Sequence, residues 1–467
     1  MPYRTPGLGP ERRAFTTNAE LGQWLDRLAQ APADASARAF AMTYGQSQRG
    51  EPLRALLLTR QPSADPAALE ASGKPVIALI GQLRGDEPAP AEALLALASE
   101  LREGLLQPLL ERVHVLIVPR ADPDGSPGQG GPDGDALALQ TPEGRSLSKL
   151  LVDYRPGVVA ELREYDAIAP YMAAFQAAAR ADVLTRFSAT PNYPEFLGKA
   201  AREWFQGPLQ QALQAGGLRA DLHHRVISTG NAPLLSMGDA HLTSWIDVQG
   251  LRNSVGVLVA SRKATTPREH LQRRVHAHVL AASSLLRTAA ERGTSLEQVR
   301  AFVARDTGAQ ACKGPAILSA TPAPARRDLA VIDPGTGRER MVGAAWQLTT
   351  EWQAPVARPR PCGYLLPAEA SAAVEQLRAL GIPVLRVTEM GSVLSDLSQG
   401  PGSAPQRRAI DVPAGSHYVA LNQASALLAI AVLDPDSPQS LAGRGVVASD
   451  AVARVLTPPA LVFDERP

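Results

Sequence analysis

Four short apolar runs in the first part of the chain each lead into a turn with charged side chains. The runs belong to the stretches KPVIALI (74–80), VHVLIVPR (113–120), GVVAELREY (157–165) and SVGVLVASR (254–262). Apolar runs of this length, bounded by turn signals, are typical of strands buried on both faces of a sheet. A chain with four such runs must cover both faces of the sheet with other elements.

Helical patterns alternate with these runs and supply that cover. They lie in AEALLALASELREGL (91–105), SLSKLLVDYRP (146–156), EFLGKAAREWFQGPLQQALQAGG (195–217) and a long segment predicted to end before Gly293. TNAELGQWLDRLAQ predicts a first helix capped by Thr17 or Asn18, and RAFAMTYGQS with PLRALLLTR predicts a hairpin. We therefore expect an α/β fold, a mixed, mostly parallel sheet with helices on both faces.

The sequence changes character after about residue 308. GPAILSATPAPARRDLAVIDPGTGRERMVGAAW predicts short strands with frequent turns, and SAAVEQLRALGIPVLRV predicts a helix followed by a strand. This change predicts a boundary between a domain of residues 1–307 and a smaller α+β or β-rich domain of residues 308–467.

Composition excludes some classes of partner. The 467 residues carry a formal net charge of +1, which gives no reason to expect nucleic acid or an acidic membrane surface as partner. No uninterrupted apolar run approaches the roughly 20 residues of a membrane span. The N-terminal segment MPYRTPGLGPERRAF lacks the apolar core of a signal peptide, so the protein is either cytoplasmic or exported after removal of a signal. The sequence does not decide the oligomeric state.

Cys312 and Cys362 are the two cysteines of the chain. Neither belongs to a CxxC motif or a Cys/His cluster, which argues against a structural zinc site. Two unrelated thiols are one interpretation, and a single disulfide in an exported protein is the other.

The charged turns are the candidate functional region. They contain Arg84, Asp86 and Glu87 after the first run, ADPDG (121–125) after the second, and Glu161, Arg163 and Glu164 near the end of the third. Because the carboxyl ends of strands in an open α/β sheet line the ligand crevice, we expect these side chains to lie close together.

Several stretches, in order, resemble the M14 family of zinc carboxypeptidases, in its bacterial multidomain branch. They are GQSQRGEPL, GQLRGDEPAPAEALLALA, VLIVPRADPDG, LQTPEGRSL, PGVVAELREY, GLRNSVGVLVASR and HLQRRVHAHV. The family's accessory C-terminal domain is resembled by two further stretches, GYLLPAEASAAVEQLRALGIPVLRV and VPAGSHYVALNQ. The resemblance implies a zinc ion held by two histidines and a glutamate, a glutamate as general base, and arginines that bind the substrate carboxylate.

The family's functional residues are mostly replaced at the matching positions. The resemblance places the first histidine and glutamate ligands at Arg84 and Glu87, and the second histidine at Arg163. It places the general base at Ala260 and the family's Asn-Arg pair at Asp133-Gly134. A guanidinium has no lone pair to give a metal, and alanine accepts no proton. We therefore expect no catalytic residue, no metal ligand and no cofactor, the family's zinc having been lost.

The replacements predict a compensation of charge. Without zinc, Glu87 would be left as an unpaired carboxylate in a partly buried crevice, which is costly. We expect Arg84 and Arg163 to pair with Glu87, Glu161 or Glu164. The cluster is then a structural filling of a dead site, a site for an anionic ligand, or a new catalytic site. Arg252 and Arg262 are further candidates for ligand binding, as remnants of the old substrate surface.

Three functions stay open from the sequence. The first is an inactive carboxypeptidase homologue that binds a peptide, a peptidoglycan-derived ligand or another carboxylate-bearing molecule. The second is an active zinc carboxypeptidase with unusual ligands. The third is an altered enzyme that acts on an anionic substrate through Arg84 and Arg163.

Overall fold

The computed structural model describes residues 3–31, 37–125, 131–229, 232–238, 240–266, 268–398 and 404–464. Within these ranges the α-helices are α1 (Asn18–Gln30), α2 (Pro66–Ala71), α3 (Pro88–Glu103), α4 (Pro142–Tyr154), α5 (Ala169–Phe175), α6 (Glu195–Ala200), α7 (Gly207–Ala215), α8 (Trp245–Gly250), α9 (Leu271–Ala309), α10 (Ser371–Ala379) and α11 (Ala426–Leu433). A π-helical segment, Ala201–Gln206, joins α6 to α7.

The strands of the first part of the chain are β1 (Arg38–Gln46), β2 (Pro52–Thr59), β3 (Val76–Ile80), β4 (His114–Val118), β5 (Val158–Asp166), β6 (Ala178–Ala179), β7 (Val183–Phe187), β8 (Ala220–Leu222), β9 (Arg225–Thr229), β10 (Ala232–Ser236) and β11 (Val255–Lys263). The strands of the second part are β12 (Pro315–Ile332), β13 (Glu339–Pro359), β14 (Gly363–Leu366), β15 (Leu385–Arg386), β16 (Gly391–Leu397), β17 (Gln406–Val412), β18 (His417–Ala420) and β19 (Ala453–Val455).

The four apolar runs form the centre of a sheet of eight strands, in the order β1-β2-β4-β3-β5-β11-β7-β8. The pairs β3–β4, β3–β5, β5–β11 and β7–β8 are parallel, while β1–β2, β2–β4 and β7–β11 are antiparallel. The fold is therefore α/β with a mixed, mostly parallel sheet, as the sequence predicts.

Both faces of this sheet are covered. α1, α3 and α9 pack on one face, where Leu25, Leu94 and Leu285 belong to one apolar cluster. α4, α8 and helices of the C-terminal part pack on the other, where Leu147 and Leu428 belong to a second cluster. The carboxyl ends of β3, β5 and β11 are thereby held in one rigid row.

Local signals located the first helix and the hairpin correctly. Thr17 caps α1 and accepts a hydrogen bond from the Glu20 backbone N–H, while the Glu20 side chain accepts one from the Thr17 backbone N–H. β1 and β2 pair antiparallel.

The C-terminal part differs from the sequence prediction. The segment expected to form short strands forms β12 and β13, strands of 18 and 21 residues that pair with each other. β13 also pairs with β10, in a second sheet ordered β6-β12-β13-β10-β9. A third sheet, β15-β18-β14-β19-β16-β17, is built from residues after 362. Because the second sheet uses strands from both sides of residue 308, the division there stays a prediction.

The helix predicted to end before Gly293 continues to Ala309. A Cβ at Gly293 would lie 3.2 Å from the Pro75 ring, so a small residue suits this close contact inside the helix. The sequence interpretation mistook a packing glycine for a helix end.

Cys312 and Cys362 form a disulfide across the base of the β12–β13 hairpin, with an S–S distance of 2.01 Å. The interpretation as two unrelated thiols is therefore wrong, and the predicted pairing of the two cysteines is confirmed, while export stays a prediction. Within the described ranges, no helix combines the length and the apolar character that crossing a bilayer requires.

Candidate functional site

Charged side chains from three neighbouring elements meet at the carboxyl ends of the central strands. β5 lies between β3 and β11, with Ile80 opposite Glu161 and Ala260 opposite Arg163. Glu161 and Arg163 are two residues apart on β5, so they project from the same face. The loop after β3 ends at Glu87, which immediately precedes α3 and faces this row.

Arg163 is the centre of the cluster and contacts three carboxylates. Its Nε lies 2.9 Å from Oε2 of Glu87, and its Nη2 lies 3.4 Å from Oε1 of the same residue. Its Nη1 and Nη2 bind the two carboxylate oxygens of Asp133 at 2.8 and 2.9 Å. Nη1 also lies 3.2 Å from Oε1 of Glu161. The guanidinium thus makes two forked contacts and a third, single one, which is a strong arrangement for a charged group.

Burial and pairing act in opposite directions on the pKa values of this cluster. For Arg163, burial alone lowers the pKa, but Glu87, Asp133 and Glu161 together raise it well above its ordinary value. For Glu87, burial raises the pKa more than Arg163 lowers it, to about 7. Arg163 divides its charge among three carboxylates, so each receives only part of the compensation. Glu87 therefore changes its charge near neutral pH.

Arg84 lies at the edge of the cluster and is more accessible. Its side chain is 40% exposed, its Nε lies 3.1 Å from Oδ1 of Asp86, and it approaches Glu87 Oε1 to 3.9 Å. Asp86 also accepts a hydrogen bond from Nζ of Lys263 at 2.5 Å. The expectation that Arg84 and Arg163 pair with nearby carboxylates is confirmed, although Asp86 and Asp133 are partners that the sequence argument did not name.

Gly85 allows the loop after β3 to sit close to the loop after β4. A Cβ at Gly85 would lie 2.3 Å from the Cα of Gly125, so any larger residue would push the two loops apart. The turn that carries Arg84 and Glu87 is thereby held against the neighbouring loop.

Glu161 and Ala260 form the floor of the site. Glu161 is buried, and its Oε2 accepts hydrogen bonds from Oγ of Ser244 and the backbone N–H of Ile246. Ala260 is 1% exposed and packs with Leu184, Ile246 and Leu258. At this position the floor presents a methyl group, which neither donates nor accepts a proton.

The cluster opens into a cavity of about 630 Å³. Sequence reasoning missed several residues that line it, above all Arg186, His223 and Asp247. Arg186 and Asp247 form a forked ion pair with N–O distances of 3.0 and 2.8 Å. Burial, together with the charge of Arg186, lowers the pKa of His223 well below its ordinary value, so its imidazole is neutral. These residues come from β7, α8 and the loop after β8, whose meeting no local pattern reveals.

Three residues named from the sequence lie elsewhere or pair differently. Glu164 borders the cavity, but its carboxylate binds Arg274 of α9 at 2.6 Å and accepts the Ala89 N–H, instead of pairing with Arg84 or Arg163. Arg262 lines a neighbouring cavity of about 420 Å³. Arg252 precedes β11 and therefore lies at the opposite end of the sheet. Neither Arg252 nor Arg262 contributes to the cavity around Arg163.

Comparison with known proteins agrees with this architecture. Residues 21–127 match the model of the zinc carboxypeptidase family, peptidase family M14. Carboxypeptidase 2 of Trichophyton equinum is 24% identical over 429 residues, which cover 82% of this chain and 77% of that protein. The match of residues 21–127 and the similarity over 82% of the chain support membership of the M14 zinc carboxypeptidase family.

Other carboxypeptidases match over shorter stretches or at lower identity. Carboxypeptidase D of Mus musculus is 35% identical over 121 residues, which cover 23% of this chain and 9% of that protein. The crystal structure of a metallo-carboxypeptidase from Burkholderia cenocepacia has a TM-score of 0.42 and 16% identity, and the match covers 58% of this chain and 68% of the other.

The residues present do not fit the zinc ion of the M14 family. Glu87 is the one carboxylate of the cluster in a position that the family uses for a ligand, and the guanidinium of Arg163 lies against it. A guanidinium stays protonated and offers no lone pair, so Arg163, at the position that the resemblance gives to the second histidine, cannot bind a metal. Within the described part of the chain, no three His, Cys, Asp or Glu side chains are arranged to hold a metal ion.

Proposed function

We propose that this chain is a catalytically inactive M14 homologue, a pseudoenzyme whose cavity binds a peptide or another carboxylate-bearing ligand. The observation that supports the loss of activity is the contact of Arg163 with Glu87, Asp133 and Glu161. One fixed positive charge lies among the carboxylates where the family chemistry needs a metal cation. Ala260 also supports the loss of activity, because its methyl side chain cannot act as a general base.

The ligand's carboxylate is proposed to contact Arg84 and not Arg163. Arg163 already has a carboxylate on each side of its guanidinium, and its side chain is 14% exposed. Arg84 is 40% exposed, and its partner Asp86 is shared with Lys263. A ligand carboxylate can therefore approach Arg84 without displacing a buried ion pair. The same pairing counts against an altered enzyme that acts on anions through both arginines.

An active carboxypeptidase is the second candidate, and the relatives favour it. Carboxypeptidase 2 of Trichophyton equinum aligns with 82% of this chain. An active protein would need a ligand set that differs from the two histidines and one glutamate of the family pattern.

Metal content and hydrolysis, measured together, separate these candidates. The full chain is purified without chelator, its zinc is counted by mass spectrometry, and release of C-terminal residues from peptides is assayed with and without chelator. We expect no stoichiometric zinc and no chelator-sensitive release. One zinc per chain with chelator-sensitive release would establish the active candidate instead.

Ligand binding is tested separately from inactivity. A short acylated dipeptide with a free C-terminal carboxylate and the same dipeptide as an amide are titrated into the wild type. The free acid is expected to bind more tightly, and Arg84→Met to weaken it roughly tenfold, the value of one charge-assisted contact. Equal binding of acid and amide would refute the carboxylate contact and leave the question of catalysis to the zinc measurement.

A further inference from the structure

Arg252 has a buried guanidinium nitrogen with no partner of its own among the described residues. Its Nη1 is shielded from solvent and has no hydrogen-bond partner, and no carboxylate lies within ion-pair distance of the side chain in the described part of the chain. Burial, reinforced by the charges of Arg155 and Arg300, lowers its pKa to about 10. Asp153 acts in the opposite direction, from beyond ion-pair distance. An arginine is still charged at this pKa, so the fold maintains a buried positive charge without a directly contacting carboxylate, which is costly.

This guanidinium borders a cavity of about 520 Å³ at the amino ends of the central strands. The cavity lies between the first part of the chain and the C-terminal part, because Lys74, Arg155 and Arg300 line one side and Gly381 and Ser425 the other. Gly381 lies directly against Arg252, since a Cβ there would be 2.9 Å from Nη2. The cavity is at the opposite end of the sheet from Arg163 and is a separate site.

The carboxylates that line this cavity are already used by other cations. Glu70 binds Arg155 at 3.2 Å, Glu297 binds Arg300 at 2.6 Å, and Asp153 binds Lys149 at 2.8 Å. Lys74 lines the cavity as a further cation. The local charge is therefore positive.

Two further polar groups around Arg252 are buried without a hydrogen-bond partner in the part of the chain that the structure describes. They are Nε2 of Gln249, a donor, and Oδ1 of Asn253, an acceptor. Both residues line the cavity, and both are at least 95% buried. Asn253 donates through Nδ2 to the Ala424 carbonyl, which fixes the identity of its free oxygen. A buried polar group without a partner is rare in a folded protein, and three around one cavity indicate a ligand that pairs with them.

We infer that this cavity is a binding site for a small oxyanion, which Arg252 and Gln249 hold through donated hydrogen bonds. Carboxylates and phosphates share the required acceptor chemistry. A protonated phosphate also carries a hydroxyl that can donate to Oδ1 of Asn253, so the set of groups favours phosphate over a plain carboxylate. Residues from both parts of the chain line the site, so a bound anion also strengthens their contact.

Titration of the full chain with inorganic phosphate and with acetate, at constant ionic strength, tests the site. Calorimetry and thermal unfolding are expected to show one saturable phosphate site and a rise in Tm. Arg252→Met is expected to weaken phosphate binding roughly 10- to 100-fold, as for the loss of a charge-assisted hydrogen bond. Arg145→Met is the matched control, because Arg145 is an exposed arginine that contacts only the Leu139 and Gln140 carbonyls in the described structure.

Gln249→Leu is a second variant, which tests the site even if Arg252→Met does not fold. It is expected to weaken phosphate binding roughly 3- to 10-fold, as for the loss of a neutral hydrogen bond. Saturable binding of acetate alone would support an oxyanion site and identify its ligand as a carboxylate. The absence of saturable binding by either anion would overturn the inference. An equal loss of binding in Arg252→Met and Arg145→Met would overturn it too. So would unchanged binding in both Arg252→Met and Gln249→Leu.

Discussion

Arg163 of β5 and Glu87 at the start of α3 form a buried ion pair, with Nε 2.9 Å from Oε2. The side chain of Glu87 is 4% exposed and that of Arg163 is 14% exposed. Their residues are 76 positions apart in the chain, so the pair exists only because β3 and β5 are neighbours in the sheet. Both the attraction within this pair and the burial of its charges affect the stability of the protein.

Removal of Arg163 is expected to destabilise the protein strongly. Arg163→Met leaves Glu87, Asp133 and Glu161 close together without a shared cation, and breaking a buried pair by removing one partner costs roughly 3–5 kcal/mol. The free energy of unfolding in urea measures this cost. The loss is expected to shrink at lower pH, where the carboxylates are protonated. Arg180→Met is the control, because the Arg180–Glu339 pair is surface exposed and its loss is expected to change stability little. Equal losses in the two variants would contradict the prediction.

Glu87 is expected to make stability fall as pH rises from about 4.5 to about 7. Burial raises its pKa in the folded protein to about 7, above the value of 4.5 that applies when it is unfolded. The folded state therefore binds the proton more tightly than the unfolded state. The stability that this protonation contributes is fully present below the pKa of the unfolded state, and it is lost as the pH rises through the pKa of the folded state. Unfolding of wild type across this range measures the slope.

Glu87→Gln is the matched variant for that slope. The amide resembles the protonated carboxyl, so it is expected to match wild type near about pH 5 and to exceed it in stability near about pH 8, by at most roughly 3 kcal/mol. A wild-type slope that persists unchanged in Glu87→Gln would assign the pH dependence to another group.

Restoring imidazoles is expected to restore zinc binding. Arg84→His with Arg163→His supplies two lone-pair donors beside Glu87, and the charge of a divalent cation replaces the charge of the lost arginines. Competition with a chromogenic chelator measures the affinity. The same double variant with Glu87→Gln is the control and is expected to bind zinc more weakly. If wild type bound zinc as tightly as the double variant, the proposed loss of the metal site would be wrong.

The disulfide is expected to contribute to stability by limiting the unfolded chain. Cys312 and Cys362 are 50 positions apart, and a closed loop of this length stabilises a fold by roughly 2–4 kcal/mol. Thermal unfolding with and without reductant is the measurement, and reductant is expected to lower the Tm. The Cys312→Ala/Cys362→Ala variant is expected to melt near the reduced wild type and to be insensitive to reductant. A variant that still responded to reductant would show that the effect has another source.

Patterns within single segments predicted much of the fold. The apolar runs of β3, β4, β5 and β11 identified the centre of the sheet, and Thr17 marked the start of α1. These features were predictable because burial of a strand and capping of a helix depend on neighbours in sequence. Gly293 was misread because a glycine that allows close packing against Pro75 has the same local appearance as one that ends a helix.

The site was predictable in its residue types and in the pairing of Arg84 and Arg163 with Glu87, but not in its other contacts. The resemblance to the M14 family assigned the positions of its metal ligands to Arg84, Glu87 and Arg163. It assigned the position of its general base to Ala260. That Arg163 binds Asp133, and that Glu164 binds Arg274, depends on how a loop and α9 pack against β5. Arg252 lies at the opposite end of the sheet from the predicted crevice, because the chain turns into β11 just after it.

Local patterns in the sequence identify the four central strands, the first helix and the hairpin, and the resemblance to the M14 family predicts the replacement of the histidine and general-base positions. Which further charges meet depends on the tertiary structure, because ion pairs between distant residues are set by strand order and loop packing, which no local pattern encodes. The tertiary structure also leaves Nη1 of Arg252 buried and without a hydrogen-bond partner among the described residues, which makes Arg252 the centre of a proposed anion site.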